Sequence, residues 1–250
     1  MGNEDVHLSY WPMNTSMAAI YETLWNEATA AFTRGEPQID PLLSHRTTDL
    51  RRCVTLVLRL SPAVQAKVGE YMDRLATVCP EQYYYRPEEL HVTVLSIISG
   101  SELWRKEMRQ LAACRACISD VLSGQHAFKI VFKGVTASPG SVLIQGFPMG
   151  DGLSKIRDDL REAFARGGFG GMLDRRYKIK AAHITAMRFQ KPVADLKRLV
   201  SLLEEGREIN FGETEVNSVQ LIWCDWYAAA DSVRILQEYQ LEPPSGVNKG

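Results

Sequence analysis

The sequence predicts an α+β fold of two similar lobes, each with the element order βαββαβ. Two observations lead to this prediction. Segments in which apolar and polar residues alternate, as in β-strands, are separated by segments with the apolar period of an amphipathic helix. The order of segments in residues 49–137 then recurs in residues 138–241, and each repeat contains a His-apolar-Thr triplet. A duplicated chain of this kind indicates pseudo-two-fold symmetry.

Residues 1–48 are predicted to be an N-terminal extension with one helix. The helix is predicted from about Ser16 to Phe32, because apolar residues recur there at helical spacing from Ile20 onward, and Gly35 and Pro37 end the pattern. Because apolar stripes of this kind are usually core, packing on the main body is favoured over a regulatory role.

Lobe one, residues 49–137, contains the first copy of the pattern. Pro62 suits the first turn of a helix, where a missing N–H costs nothing. The predicted elements are strand 53–60, helix 62–78, strand 82–86, the strand of His91, helix 102–122 and strand 128–135.

Lobe two, residues 138–241, repeats this order. The predicted elements are strand 142–147, helix 153–166, a short strand near Tyr177, the strand of His183, helix 193–204 and strands 216–224 and 233–241. A glycine-rich segment with Arg166, Arg175 and Arg176 is interpreted as a solvated loop, with a substrate lid as the alternative. Residues 242–250 are predicted to be a mobile tail.

The most informative feature is the triplet itself, which occurs as His91-Val92-Thr93 and as His183-Ile184-Thr185. Residues i and i+2 of a strand share one face, so each triplet projects an imidazole and a hydroxyl together. Imidazole titrates near neutrality, so one copy suits a general base and the other a general acid. A threonine hydroxyl can donate to a phosphoryl oxygen.

The flanks of the two triplets also match. Tyr85 and Tyr177 precede the histidines at equal spacing, and a basic residue follows each tyrosine. The segments YRPEELHVTVLSI and YKIKAAHITAMRF resemble the 2H phosphoesterase superfamily, which includes bacterial 2'-5' RNA ligase-like cyclic phosphodiesterases. The resemblance extends over roughly residues 50–241. It implies a bilobal fold in which antiparallel-rich sheets face a central cleft, with one triplet in each lobe.

The resemblance also implies a reaction. A phosphoric diester hydrolase of this kind opens a 2',3'-cyclic phosphate on a nucleotide or an RNA end. The catalytic candidates are His91, His183, Thr93 and Thr185, with no metal and no cofactor. Which histidine is the acid is left open, and 2'-5' RNA cleavage or ligation and a noncatalytic nucleotide- or RNA-binding module are the alternatives.

Four further residues are substrate-binding candidates. The family places an arginine at the position of Arg188, but strict alternation puts it on the face opposite His183, so a bend or a structural ion pair is the alternative. Tyr85 and Tyr177 are expected beside the cleft, where they stack on a base, bind phosphate or pack in the core. Trp226, with Trp223 and Tyr227, forms either a nucleobase wall or part of the core.

Composition limits the other functional classes. The chain has 250 residues, of which 45% are hydrophobic, and a net charge of -1, which argues against a broad nucleic-acid-binding surface. The five cysteines are expected to be reduced, and Cys114-X-X-Cys117 is interpreted as buried helical cysteines rather than a redox or metal site. Neither histidine has the spacing of a zinc motif.

The remaining expectations concern location and partners. The first ten residues are acidic and no apolar run follows, so a cytoplasmic protein without a membrane anchor is predicted. We expect a monomer that binds a nucleotide or a short RNA with a cyclic phosphate or a 2'-5' linkage, and no protein partner is evident.

Overall fold

The computed structural model describes residues 15–174 and 178–244. Within these ranges the helices are α1 (Thr15–Thr33), α2 (Pro62–Val78), α3 (Trp104–Glu107), α4 (Leu111–Leu122), α5 (Gly152–Arg166) and α6 (Leu196–Gly206). The strands are β1 (Arg52–Arg59), β2 (Tyr83–Tyr84), β3 (His91–Ser101), β4 (Phe128–Ser138), β5 (Ser141–Pro148), β6 (Ile184–Arg188), β7 (Asn210–Val216), β8 (Ser218–Asp225) and β9 (Arg234–Gln240).

All described strands belong to one antiparallel sheet. Its order is β7-β4-β5-β6-β3-β1-β8-β9, and β2 pairs with β6 beside this path. The α+β prediction with antiparallel strands is therefore confirmed. The two central strands, β3 and β6, carry the two triplets and are joined at a single register pair, Val92 with Ile184.

Strand pairing crosses the predicted boundary between the lobes at residues 137 and 138. β4, assigned to lobe one, pairs with β5 and β7 of lobe two. β8, assigned to lobe two, pairs with β1 of lobe one. Each half of the sheet therefore combines strands from both predicted lobes.

Several elements differ in their bounds from the prediction. The helix expected over 102–122 is divided into α3 and α4 by a 3-10 turn at Met108–Gln110. The helix expected from residue 193 begins at Leu196, because the Asp195 carboxylate accepts the N–H of Arg198 and caps it. β7 was not predicted, since its residues are mostly polar and it lies at the sheet edge. Lys178 and the two residues after it form no strand.

Helix α1 packs on the body of the protein through its apolar face. The buried Tyr21 hydroxyl donates to the carbonyl oxygen of Gly146 at 2.9 Å. The hydroxyl oxygen in turn accepts the N–H groups of Gly146 and Ala182 at 3.0 and 3.2 Å. One hydroxyl thus connects α1 to β5 and to the segment that leads into the second triplet.

The first residues after β9 are hydrogen-bonded to the segment that precedes β4. Glu242 exchanges backbone hydrogen bonds with Gln125 and Ala127, and the Pro243 carbonyl oxygen lies 2.8 Å from Nδ1 of His126. The predicted mobile tail therefore does not begin at Glu242, and residues 245–250 of it lie outside the described residues. No helix in the described part of the chain is long and apolar enough to cross a membrane.

Candidate active site

The central strand pair brings the two triplets together. In the antiparallel β3–β6 pair the apolar residues of the triplets, Val92 and Ile184, are register partners. Continuing this register by one residue on each side places each histidine opposite the threonine of the other triplet. Diagonal neighbours in such a pair are about 7–8 Å apart, a separation that a phosphoryl group can span between two imidazoles.

The four motif side chains line one cleft. His91, Thr93, His183 and Thr185 all border a cavity of about 550 Å³, a volume within the range of small-molecule sites. The predicted catalytic residues thus share one pocket, and the pseudo-two-fold relation between them follows from the antiparallel register.

A β-bulge resolves the conflict over Arg188. The consecutive β5 residues Val142 and Leu143 pair with Met187 and Thr185 of β6. Ala186, between these two partners, is therefore an extra residue in the strand. A bulge shifts the alternation of side chains by one residue. Arg188 therefore faces the cleft together with His183. The β1–β3 pair has the same irregularity after the first triplet, and Ser96 reaches the cleft in the same way.

The ring of His91 is fixed by the turn before β3. Its Nδ1 lies 2.6 Å from the carbonyl oxygen of Glu89. A carbonyl only accepts, so in the neutral ring the proton sits on Nδ1 and Nε2 keeps its lone pair. The buried Glu89 carboxylate holds the turn by accepting the N–H groups of Arg86 and Ala230. Burial, with the charges of Arg59 and Arg188, lowers the pKa of His91 to about 4.

His183 differs from His91 in the contacts of its Nδ1 atom. Its Nδ1 is buried and makes no hydrogen bond to any residue of 15–174 or 178–244. Burial lowers its pKa to about 4, and the positive charges of Arg157 and Arg188 and the His91 ring act in the same direction. The influence of one ring on the other agrees with their position on a common cleft.

Arg157 of α5 links the backbones of both triplet segments. It is 3% exposed, and its guanidinium donates four hydrogen bonds to carbonyl oxygens. These are at Thr93 and Val94 of β3 (2.8 and 2.9 Å) and at Lys180 and Ala181 before β6 (2.7 and 2.9 Å). The Arg157 guanidinium therefore fixes β3 and the segment before β6 relative to each other. Sequence analysis did not select Arg157, although its place on the apolar stripe of α5 is a detectable signal.

Tyr85 and Arg188 form one unit. The Tyr85 hydroxyl accepts the Nε–H of Arg188 at 2.8 Å. The backbone N–H of Tyr85 donates to the carbonyl oxygen of Ala186, the bulged residue, at 3.1 Å. Burial raises the pKa of Tyr85. With 3% of its surface exposed, this ring is too buried to stack on a base, so the stacking alternative is wrong for Tyr85. Tyr177 lies outside the described residues.

Trp226 borders the cleft from the loop after β8. Asp225 shapes this loop by accepting the N–H groups of Tyr227 and Ala229. The Arg51 guanidinium lies 4.9 Å from the centre of the indole ring, a cation–π contact that orients it. Tyr227 also borders the cavity although it is only 1% exposed, whereas Trp223 does not border it.

Two further elements border the cleft: the N-terminal helix, for which packing was predicted, and the glycine-rich segment, for which a substrate lid was the alternative. Ile20 and Leu24 of α1 border the cavity beside β5, so the N-terminal helix contributes to the site as well as to packing. Asp174 and Lys178 border it from the glycine-rich segment. Arg161 of α5 binds the Asp174 carboxylate at 2.7 Å and anchors that segment. No group of three or more potential metal ligands occurs among the described residues.

The low pKa of both imidazoles predicts that the folded protein loses stability in acid. Their pKa in the folded protein is about 4, below the ordinary 6.5, so protons bind the unfolded chain first. The stabilisation from neutral imidazoles is complete above pH 6.5 and is lost as the pH falls through about 4. We expect the Tm in calorimetry to fall over this window, and the double variant His91→Gln, His183→Gln to lose less. Equal losses in both proteins would contradict the assignment.

The fold and the paired triplets define a member of the 2H phosphoesterase superfamily. Within it, the chain belongs to the family of AKAP7 2'5' RNA ligase-like domains, whose model matches residues 54–234. The resemblance noted in the sequence is thereby confirmed. The match starts inside β1, so the two cleft residues of α1 lie outside it.

Solved structures share the fold. TT0787 of Thermus thermophilus is 16% identical, with a TM-score of 0.56 over 76% of this chain and 98% of that one. Apo LigT of E. coli is 16% identical, with a TM-score of 0.53 over 77% and 98% of the two chains. Among curated proteins, none matches the chain.

Proposed function

We propose that this protein is a metal-independent phosphodiesterase that hydrolyses a 2',3'-cyclic phosphodiester on a nucleotide or an RNA end. The observation that carries the proposal is the convergence of His91, Thr93, His183 and Thr185, with Arg188, on one cleft. LigT, which shares the fold, has been solved in complex with phosphate and with 3'-AMP. Those ligands fit the chemistry proposed for this cleft.

The two histidines supply opposite halves of the proton transfer. One imidazole takes a proton from a water molecule while the water oxygen attacks phosphorus. On the opposite side of phosphorus, the bond to one ribose oxygen breaks. The other imidazole, protonated, gives its proton to that departing oxygen. The diagonal placement of the rings across the β3–β6 pair suits this in-line geometry.

The charge that builds on the phosphoryl oxygens needs donors. The hydroxyls of Thr93 and Thr185 lie next to the histidines across the strand pair and can donate to nonbridging oxygens. The Arg188 guanidinium, fixed by Tyr85, adds a positive charge that matches a phosphate. The two hydroxyls and the guanidinium can thus stabilise the negative charge of the transition state without a rearrangement of the site.

An anion in the cleft should change the titration of both histidines. In the free protein each pKa is about 4, so few rings are protonated at pH 7. A bound phosphate opposes the charges of Arg157 and Arg188 and favours imidazolium. We expect inorganic phosphate to raise both pKa values, measured by NMR of the imidazole nitrogens, and sulfate to act as a second anion. Unchanged pKa values of His91 and His183 in the presence of phosphate would contradict this expectation.

Tyr85 should act through Arg188. Tyr85→Phe removes the hydroxyl that accepts the Arg188 Nε–H while keeping the buried ring. A hydrogen bond to a charged group contributes about 1.5–3 kcal/mol, so kcat/KM should fall by roughly tenfold or more. Tyr84→Phe is the matched control, because its hydroxyl binds a carbonyl oxygen at Cys79, and Tyr84 does not line the cleft. Steady-state kinetics of both variants would show whether the loss is specific.

A 2'-5' phosphodiester is the second candidate substrate. The cleft has an aliphatic wall of Ile20 and Leu24 beside β5 and an aromatic wall at Trp226 beyond β1. These walls flank the central strands on opposite sides, so each arm of a linear diester finds an apolar surface. The family description also names 2'5' RNA ligase-like domains.

A substrate panel separates these possibilities. Cyclic 2',3'-nucleotides and 2'-5' linked dinucleotides are incubated with the protein in the presence of EDTA, and the products are identified by mass spectrometry. Ring opening supports the first proposal, and cleavage of the dinucleotide supports the second. Loss of activity with EDTA contradicts the metal-independent mechanism. Tight nucleotide binding without product from any substrate would favour a noncatalytic module.

A further inference from the structure

Two cysteines face each other on the β1 and β8 side of the cleft. Cys53 and Cys224 are register partners in the antiparallel β1–β8 pair, and both line the cavity. Opposite residues in such a pair have Cα atoms about 4.5–5.5 Å apart. This separation lies inside the window of about 4.4–6.8 Å in which disulfides form. A bond between the two sulfurs therefore requires no rearrangement of the strands.

The two sulfurs are not equivalent. Cys53 accepts a hydrogen bond from the Cys224 thiol and another from the N–H of Gly100. Because of these donors the pKa of Cys53 is lowered, whereas the pKa of Cys224, the donor in the pair, is raised. The thiolate is the nucleophilic form of cysteine, and Cys53 is also the more exposed of the two residues at the cavity, 8% against 1%. Cys53 is therefore the thiol that reacts first.

Gly100 connects the thiol pair to the aromatic wall. Its φ of +59° lies in the left-handed region, and a Cβ at this position would overlap the Trp226 ring. Only glycine permits both this backbone conformation and this close contact. The N–H that supports Cys53 is therefore held in place by the packing of Trp226.

We propose that Cys53 and Cys224 form an oxidation site that reacts with a hydroperoxide and closes to a reversible cross-strand disulfide inside the cleft. The Cys53 sulfur attacks the peroxide oxygen, the O–O bond breaks, and an alcohol or water leaves as Cys53 becomes a sulfenic acid. The Cys224 sulfur then attacks the sulfenic sulfur, its proton leaves with the hydroxyl as water, and the disulfide forms. A dithiol restores both thiols by exchange.

The other cysteines lack these features. Burial raises the pKa of Cys79 and of Cys114 to about 11, which disfavours the thiolate. Cys117 also has a raised pKa, and none of the three lines the cleft. The Cys114-X-X-Cys117 pair is therefore the matched comparison within the same protein.

The test uses the 250-residue chain and hydrogen peroxide in slight excess. Free thiols are counted after denaturation, and peptide mapping identifies the crosslinked cysteines. Of the five thiols present, two should disappear and return with dithiothreitol, and the crosslinked peptide should contain Cys53 and Cys224. A crosslink between other cysteines, or no thiol loss, would overturn the proposal.

Two single variants test the order of reaction. Cys224→Ser should accumulate a sulfenic acid at Cys53 that dimedone traps, whereas Cys53→Ser should give little dimedone adduct at Cys224. Cys114→Ser should still form the disulfide as the unmodified protein does. Equal trapping at both positions would show that Cys53 is not the initial nucleophile. These measurements need no substrate, so their outcome is independent of the proposed phosphodiesterase activity.

Discussion

His91→Ala and His183→Ala are each expected to lower kcat by roughly 10²–10⁴-fold, the range by which a general acid or base contributes to a reaction. Each ring lines the cleft directly, and each has one half of the proton transfer as its proposed role. The double variant should lose little more than either single variant, because residues that act as a unit are not additive. The measurement is the initial rate of product formation on the substrate that the panel identifies.

The control for these variants is His45→Ala. His45 is exposed and does not line the cleft, so its replacement should leave kcat unchanged. Circular dichroism of all variants checks that the fold is retained. If either cleft histidine can be replaced with less than about a threefold loss of kcat, the two-histidine mechanism is wrong for this protein.

Arg157→Met is expected to give the largest loss of stability. Met has similar length but no donor, so the carbonyl oxygens that Arg157 serves in β3 and before β6 lose their partner. Buried polar groups without partners cost about 1–3 kcal/mol each, and water relieves some of them. The free energy of unfolding should therefore fall by roughly 3–5 kcal/mol in urea denaturation.

A matched variant on the same helix isolates this effect. Lys155→Met changes a side chain that is 55% exposed and paired with Asp159, and surface changes usually stay within about 0.5 kcal/mol. Arg157→Lys keeps the charge but not the planar fork, so it should retain the depressed pKa of His183 while losing part of the stability. In folded Arg157→Met the pKa of His183 should rise, measured by NMR. Stability equal to that of Lys155→Met would contradict the role of Arg157.

Local sequence patterns were sufficient for the centre of the site. The alternation around His91 and His183 and their matched flanks identified the two strands that carry the triplets. The Pro62 start and the apolar stripe likewise fixed α2 at Pro62–Val78. These features depend on residues close together in the chain, so a single sequence contains the information.

What the sequence did not show depends on contacts between distant residues. The bulge at Ala186 is set by the pairing of β6 with β5, so strict alternation put Arg188 on the opposite face. Arg157 bonds backbone carbonyls, and such partners leave no pattern of side-chain types. The exchange of strands between lobes was also hidden, because both arrangements have the same order of elements.

The exchange of strands has a consequence for how the protein is made. β1 is synthesised long before one of its neighbours, β8, which ends at Asp225. A nascent chain that has emerged only to residue 137 holds β4 without β5 or β7. Neither half of the sheet can therefore close on the ribosome before the late strands β7 and β8 have left the exit tunnel.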